Sequence, residues 1–318
     1  MRDPRGVIGT STRRMLGSCI QFLARAARRL KRAGWGKYRL GRELIDALLL
    51  LEDVATVRRK YTAAFGSQPR LLFPRSFNEK IQRRKILRRR QHHIRLADKL
   101  AVRDFVAERV GSHVLTKLFW VGSDLQDARR QSLPRKFVLK ANHSWNRNLL
   151  VRDVSLFDWG AAETLVRRWL AEDYSVSGSE WQYRWIPPML FIEEYLEDPH
   201  RTVPLDYKFL CFNGRVEMIQ VDIDRFSEHH TQALLDRNFR RLPVKFNCPQ
   251  YEGDLLQPGC YHSMRDIAER LAARERFLRV DLYDVGRPMF GELTPTPGAG
   301  YGPIEPPDWD EKLGALWI

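Results

Sequence analysis

The sequence predicts an α+β protein in which a basic helical extension precedes helices and then a series of antiparallel hairpins. Three observations carry that prediction. Up to about residue 64, apolar residues recur at helical spacing among arginines, with a break at Gly34–Gly41. From Val114 onward the composition shifts, and KFVLKANH, MLFIEEYLED and DYKFLCFNG alternate or run apolar as strands do. Late in the chain, LRVDLYDVGRPMFGELTPTPGAG (Leu278–Gly300) reads as a hairpin that gathers polar residues on one face.

Taken in order, Ser11–Ala33 sets Met15, Ile20, Phe22, Leu23, Ala27 and Leu30 among arginines. Such a pattern suits a basic amphipathic helix on an anionic membrane or a nucleic acid, or a poorly ordered extension. Leu44, Ile45, Leu48, Leu49, Leu51, Val54 and Val57 predict a second helix over Glu43–Ala64, packed on the main domain. Ser76 followed by Glu79 is a capping-box signature. The basic run Arg83–Arg95 reads as a solvated helix face, and the adjacent His92 and His93 as surface residues. Asp98-Lys99 opens a helix that runs to Val110 and stops at Gly111.

Lys136, Val138 and Lys140 alternate with Phe137 and Leu139, which sends Lys140 off a strand end toward the loop Asn142–Asn148. A helix follows over Gly160–Glu172. Trp145, Trp181, Tyr183 and Trp185 then offer either a sugar-stacking wall or ordinary packing. Asn213-Gly214 marks a tight hairpin, and His262–Ala273 is helical. The expected divisions are an arm and helix over 1–70, a first lobe over 71–190 and a second over 191–318.

In the late hairpin, Arg279 and Asp281 share a face opposite Val280 and Leu282. Phe290, Glu292 and Thr294 share one opposite Gly291 and Leu293. A turn centred on Gly286–Arg287 puts Asp281 across from Glu292, and Pro288 requires a loop wider than two residues. Two carboxylates about 4 Å apart repel by roughly 1 kcal/mol in water and about 4 kcal/mol at an effective dielectric of 20. A hard divalent cation would offset this, and so would solvent or a pairing of Asp281 with Arg279. The Pro/Gly run that follows suits an ordered loop lining a site.

With 318 residues, 43% of them hydrophobic, the chain can bury a core for two or three subdomains. Its net charge of +15 is uneven: the first 42 residues hold twelve Lys and Arg against Asp3 alone. The four cysteines show neither metal nor disulfide spacing, which fits a reducing compartment. The best apolar run, Ile45–Leu51, is far short of the roughly 20 residues of a membrane span, and no signal peptide is evident. A cytoplasmic location is expected, with peripheral contact between the basic arm and the inner face of an anionic membrane. Nucleic acid is disfavoured, because no DNA- or RNA-reading motif accompanies the charge.

FNEKI, ADKLAVRDFV, KFVLKANH, EEYLED, DYKFLCFNG, VDIDRF, RVDLYDV and GELTPTPGAG, in that order, resemble the teichuronopeptide-biosynthesis (TupA-like) branch of the ATP-grasp superfamily over residues 73–318. The resemblance implies an ATP-grasp fold, two lobes with antiparallel sheets clamping Mg-ATP, and the activity of a carboxylate–amine ligase acting through an acyl phosphate. It implies that Lys99 and Lys140 reach the phosphates and that Asn142, His143 and Asn148 belong to the phosphate loop. Glu193, Glu194, Tyr195 and Leu196 would form the hinge beside adenine. Asp206 would meet the ribose, with Lys208 on the strand lining the cleft. Asp281, Glu292 and Thr294 would hold Mg²⁺, and Arg279 would steady the acyl phosphate.

Two departures stand out. Thr294 replaces the asparagine often found there, and Asn142-His143-Ser144-Trp145-Asn146-Arg147-Asn148 lacks both glycines of the family's NHGSGxN loop. Ser144 and Asn146 can stand in, since asparagine tolerates left-handed backbone, and Arg147 adds charge. The implied substrates are an acidic polysaccharide or lipid-linked glycan and an amine donor. The alternatives are a kinase or glycosyltransferase of surface-polysaccharide synthesis, or a degenerate non-catalytic scaffold. The ligase reading requires Lys99, Lys140 and the Asp281/Glu292 pair to share one cleft.

Overall fold

A computed structural model describes residues 10–198, 204–224 and 228–318. Residues 1–9 of the arm and Arg225-Phe226 of the VDIDRF motif lie outside them. The chain divides into two units, residues 1–68 and 69–318.

The first unit is a hairpin of helices α1 (Thr10–Arg32) and α2 (Arg39–Phe65). Its seam buries Ala24 and Ala27 against Ile45 and Leu49, and Arg28 clasps Glu52 through two hydrogen bonds of 2.7 and 2.8 Å. Gly66, in left-handed backbone (φ 71°), ends α2.

The second unit opens with α3 (Phe77–Leu87), and the predicted capping box is formed: Glu79 N–H donates to Ser76, and the Glu79 carboxylate accepts from the Ser76 backbone. The basic run that follows departs from its expected solvated face. Arg84 turns inward, donating to the carbonyls of Phe277 and Pro295 at 3.0 and 2.8 Å and stacking on Trp317. Lys85 is fully buried and reaches Gln82, the Ala299 carbonyl and the Tyr301 hydroxyl. On α4 (His92–Ala97), His93 is buried rather than at the surface, and both histidines lie against the Glu275 carboxylate at 3.3 and 3.6 Å. Partners distant in sequence supply these contacts, so local charge density alone misplaces the residues.

Helix α5 (Val102–Val110) is introduced by Asp98, whose carboxylate accepts from the Leu100 and Ala101 amides. Then come β1 (Leu118–Gly122), α6 (Leu125–Arg129), β2 (Phe137–Ala141), β3 (Asn148–Val151), α7 (Trp159–Ala171), α8 (Ser175–Gly178) and β4 (Leu190–Glu194). The strands form a four-stranded antiparallel sheet in the order β1-β4-β2-β3. Alternation along β2 decides its two faces. Phe137 and Leu139 pack with Ala162, Val166 and Trp169 of α7, leaving Val138 and Lys140 for the other side.

Strands β5 (Asp206–Phe212), β6 (Arg215–Ile223) and β7 (Thr231–Asp236), helix α9 (Tyr261–Ala272), the hairpin β8 (Phe277–Asp284) and β9 (Pro288–Thr294), and α10 (Asp308–Leu316) complete the unit. The second sheet is antiparallel in the order β7-β6-β5-β8-β9. The β5–β6 turn uses Asn213 and Gly214 at positive φ, as the sequence predicts. One face, with Phe209, Cys211, Val280 and Leu282, packs against α5 and α9. The other changes character along its length: Leu210, Phe212 and Phe277 meet α3 and α10, while Asp206, Lys208, Arg279 and Asp281 occupy its remaining end.

The late hairpin keeps the expected Asp281↔Glu292 pairing by an unexpected route. Its loop is the three residues Val285–Arg287, and an irregularity follows the Leu282↔Phe290 pair before Asp281 meets Glu292. Gly291 is the extra residue of this bulge, and a Cβ there would stand 3.0 Å from the Asp281 carbonyl. Phe290 therefore pairs with Leu282 in the apolar core instead of sharing a face with Glu292 and Thr294. Without the bulge, Glu292 would oppose Val280 and point into that core.

Candidate functional site

Between the two sheets lies a cleft open to solvent. Val138, Lys140, Asn148 and Leu150 line it from β2 and β3, Glu193–Leu196 from β4 and its exit, and Tyr283 and Phe290 from the late hairpin. Of the residues picked from sequence, the cleft collects Lys140, Asn148, Glu193, Glu194, Tyr195 and Leu196.

Lys140 is ion-paired with Glu193, which also accepts from Thr116 Oγ1 at 2.6 Å and has Arg103 at 3.6 Å. Burial alone would raise the Glu193 carboxyl, but Lys140, Thr116 and Arg103 together hold it below the usual carboxylate range. Its carboxylate is therefore engaged by cations, and Glu194, Tyr195 and Leu196 continue the lining after it.

Asn142 and His143 face into the protein. Asn142 donates to Asp98 and to the Pro187 carbonyl and accepts from the Met189 amide at 2.8 Å. His143 Nε2 meets the Trp169 carbonyl at 2.9 Å, and burial keeps the ring neutral to lower pH than usual. Instead of reaching outward, these two side chains fix the first end of the loop in place. Asn146 takes left-handed backbone (φ 54°), the substitution for glycine that the sequence allows. Arg147 is committed to Glu172 at 2.7 Å, so its charge is not free for a ligand. Of the four proposed wall aromatics, Trp181 and Trp185 are buried core residues. Trp145 stands half exposed, edge-on to Tyr174, which is edge-on to Tyr183.

Lys99 joins the loop to the hairpin: its ammonium donates to the Ser144 carbonyl and lies 3.6 Å from Glu292 Oε2. Burial lowers its pKa, Glu292 opposes that and Lys140 adds to it. Lys140 lines the cleft, while Lys99 stands between the loop and the carboxylates of the late hairpin, near enough to Lys140 for the two charges to repel.

Arg279 bridges the pair, holding Asp281 through two hydrogen bonds of 2.7 Å and Glu292 Oε1 at 2.9 Å. Thr294 Oγ1 donates to the same Glu292 oxygen at 3.3 Å. Beside them, buried Lys208 is ion-paired with both Asp206 and Asp222, so the Asp206 side chain is turned to its own sheet. Burial pushes Asp281 up to about 7; Arg279 and Lys208 oppose that, while Asp206 and Glu292 add to it. Two carboxylates and a hydroxyl are hard oxygen donors of the kind Mg²⁺ takes. That donor set would suit such an ion, although Arg279 now occupies both carboxylates. Among the described residues no cluster of three or more His, Cys, Asp or Glu forms a metal site.

The TupA-like ATPgrasp family model matches residues 79–318. The chain belongs to that family. The fold of this TupA-like ATP-grasp chain, two antiparallel sheets flanking a cleft, is as its sequence predicts. No curated protein matches it. Solved structures that resemble it include an L-amino acid ligase from Bacillus licheniformis (12% identity, TM-score 0.44, 78% of this chain and 55% of that one). A D-alanine–D-alanine ligase from Bacillus anthracis complexed with ATP shows 11% identity and a TM-score of 0.34 over 63% of this chain and 53% of that one. The ATP-grasp ligase PsnB complexed with a minimal precursor shows 11% identity and a TM-score of 0.34 over 66% and 55%. The TupA-like chain spans little more than half the length of each.

One residue of the site escapes sequence reasoning. Glu180, buried beneath the hairpin, accepts from Thr296 Oγ1 at 2.6 Å, and Thr296 in turn accepts from Gln182 at 2.8 Å. Burial raises its carboxyl, Thr296, Lys85 and Arg279 oppose that, and Glu292 adds to it. A lone glutamate in a Ser/Gly loop gives no local signal of this; only the fold places it among the charges.

Proposed function

We propose that this ATP-grasp chain is an ATP- and Mg²⁺-dependent carboxylate–amine ligase. A carboxylate oxygen of one substrate attacks the γ-phosphorus and ADP leaves; an amine then attacks the acyl carbon, phosphate departs and the amine proton is lost to a base. The observation that carries this reading is Lys99, which reaches both the Ser144 carbonyl of the loop after β2 and Glu292 of the late hairpin. Lys99 and Lys140 follow the phosphates as point charges, and Arg279 steadies the acyl phosphate. Asp281, Glu292 and Thr294 would hold Mg²⁺, which would supply positive charge against the phosphates. Asn142 and His143 set the loop, Asp206 and Lys208 shape the wall, and Tyr195 and Leu196 border the base.

The substrate we favour is an acidic cell-surface polysaccharide or its lipid-linked precursor, with an amino acid or peptide as amine donor. Half-exposed Trp145, braced by Tyr174 at the mouth of the loop, is a stacking surface for a sugar ring, which supports that choice. The test is incubation with Mg-ATP, a uronic-acid glycan and an amine. ADP together with a new amide is the expected result. ADP with a stable phosphorylated sugar would make it a kinase, and transfer from a nucleotide sugar without ATP a glycosyltransferase. The glycine-free loop favours one further reading, a non-catalytic scaffold, which calorimetry would establish if Mg-ATP failed to bind.

A further inference from the structure

The helical hairpin of residues 10–65 presents far more apolar surface than its own seam uses. Along α1, Met15, Cys19, Phe22 and Ala26 fall on one stripe, with Met15 67% and Phe22 66% exposed. Along α2, Leu40, Leu44 and Leu51 fall on another and are 79%, 43% and 50% exposed. At the bend between the helices, Trp35 and Tyr38 also face solvent. The residues that hold the hairpin together, Ala24, Ala27, Ile45 and Leu49, are a separate set. Patches of this kind on a soluble surface mark a docking site.

The charge around these stripes selects the occupant. Arg25, Arg29 and Arg32 are exposed beside the α1 stripe, and Lys37 and Arg39 beside the bend. Across the first 42 residues, twelve Lys and Arg face a single Asp. A nucleic acid would use the arginines and leave Phe22, Leu40 and Leu44 in water. A second copy would cover the apolar stripes but press arginine against arginine. An anionic bilayer takes both, since leucine, phenylalanine and tryptophan sink to the level of the headgroups while arginine stems reach the phosphates. Among the described residues no helix is long and apolar enough to cross a membrane, so the hairpin would lie in the interface plane.

We propose that the α1/α2 hairpin docks this protein on an anionic phospholipid surface. The experiment is cosedimentation of the full chain with phosphatidylcholine vesicles, with and without phosphatidylglycerol. Binding should require phosphatidylglycerol and weaken as salt rises. Met15→Glu combined with Phe22→Glu should lower binding by roughly tenfold or more, because both exposed anchors of the α1 stripe are lost. The melting temperature should stay unchanged, since both side chains face solvent. Equal binding to neutral vesicles, or unchanged binding by the double variant, overturns the proposal. A dimer in light scattering that the double variant abolishes would assign the stripes to a second copy. Binding to duplex RNA or DNA that survives the double variant but fails in Arg25→Glu/Arg29→Glu, with no vesicle binding, would assign the surface to nucleic acid.

Discussion

The two walls of the cleft are built from the same charged residue types and balanced in opposite directions. On the side of the four-stranded sheet, Lys140 and Arg103 flank one carboxylate, Glu193. On the five-stranded side, Lys208, Arg279 and Lys99 serve four, Asp206, Asp222, Asp281 and Glu292. Burial is similar on both walls, so the difference in ionisation comes from the partners. Glu193 is held below the usual carboxylate range, whereas Asp281 is pushed up to about 7. A surplus of cations facing a surplus of carboxylates is what a polyphosphate carrying a divalent ion requires.

The hardest test removes one charge from each wall. Lys140→Ala and Glu292→Gln should each reduce ADP release by on the order of 100-fold or more, with unchanged circular dichroism. If either variant turned over ATP normally, the asymmetry would have no bearing on nucleotide chemistry. Next in size is Lys208→Met, which leaves Asp206 and Asp222 directly opposite one another across β5 and β6. Breaking a buried pair of this kind costs about 3–5 kcal/mol, readable as a lower denaturant midpoint. A loss below about 1 kcal/mol would mean that the acidic wall tolerates its own repulsion.

Glu193→Gln sharpens the contrast through pH. A carboxyl held below its unfolded value of 4.5 contributes stability that is fully present above that pH and lost as pH falls through its folded value. The variant should be destabilised by about 1–3 kcal/mol at pH 7, with the gap from the parent closing in acid. A gap independent of pH would show that shape, not charge, matters there. The smallest effect is expected of Trp145→Ala, outside both walls: stability within about 0.5 kcal/mol of the parent, and glycan affinity lowered by roughly 3- to 10-fold in titration calorimetry.

What the sequence made legible was local. Alternation put Arg279 with Asp281, the Ser76/Glu79 spacing capped α3, and Asn213-Gly214 turned β5 into β6, because each signal lies within a few residues of its effect. The resemblance picked out Lys140 and Glu193–Leu196, which line the cleft. The pairing of Lys208 with Asp222 depends on strand register, and the inward turns of Arg84, Lys85 and His93 depend on partners some 180 to 220 positions away. Gly291 was visible as a glycine, but an alternation rule has no place for an extra residue, so Phe290 was put on the wrong face. Glu180 carried no signal at all.

The ammonium of Lys99 has consequences for the order of events. It is shared between the Ser144 carbonyl and the Glu292 carboxylate, so under the proposed function a phosphate that took it up would leave Glu292 with Arg279 as its remaining cation. A divalent ion bound with that phosphate would restore the balance. Nucleotide and metal would then strengthen one another's hold, and such reinforcement must be equal in both directions.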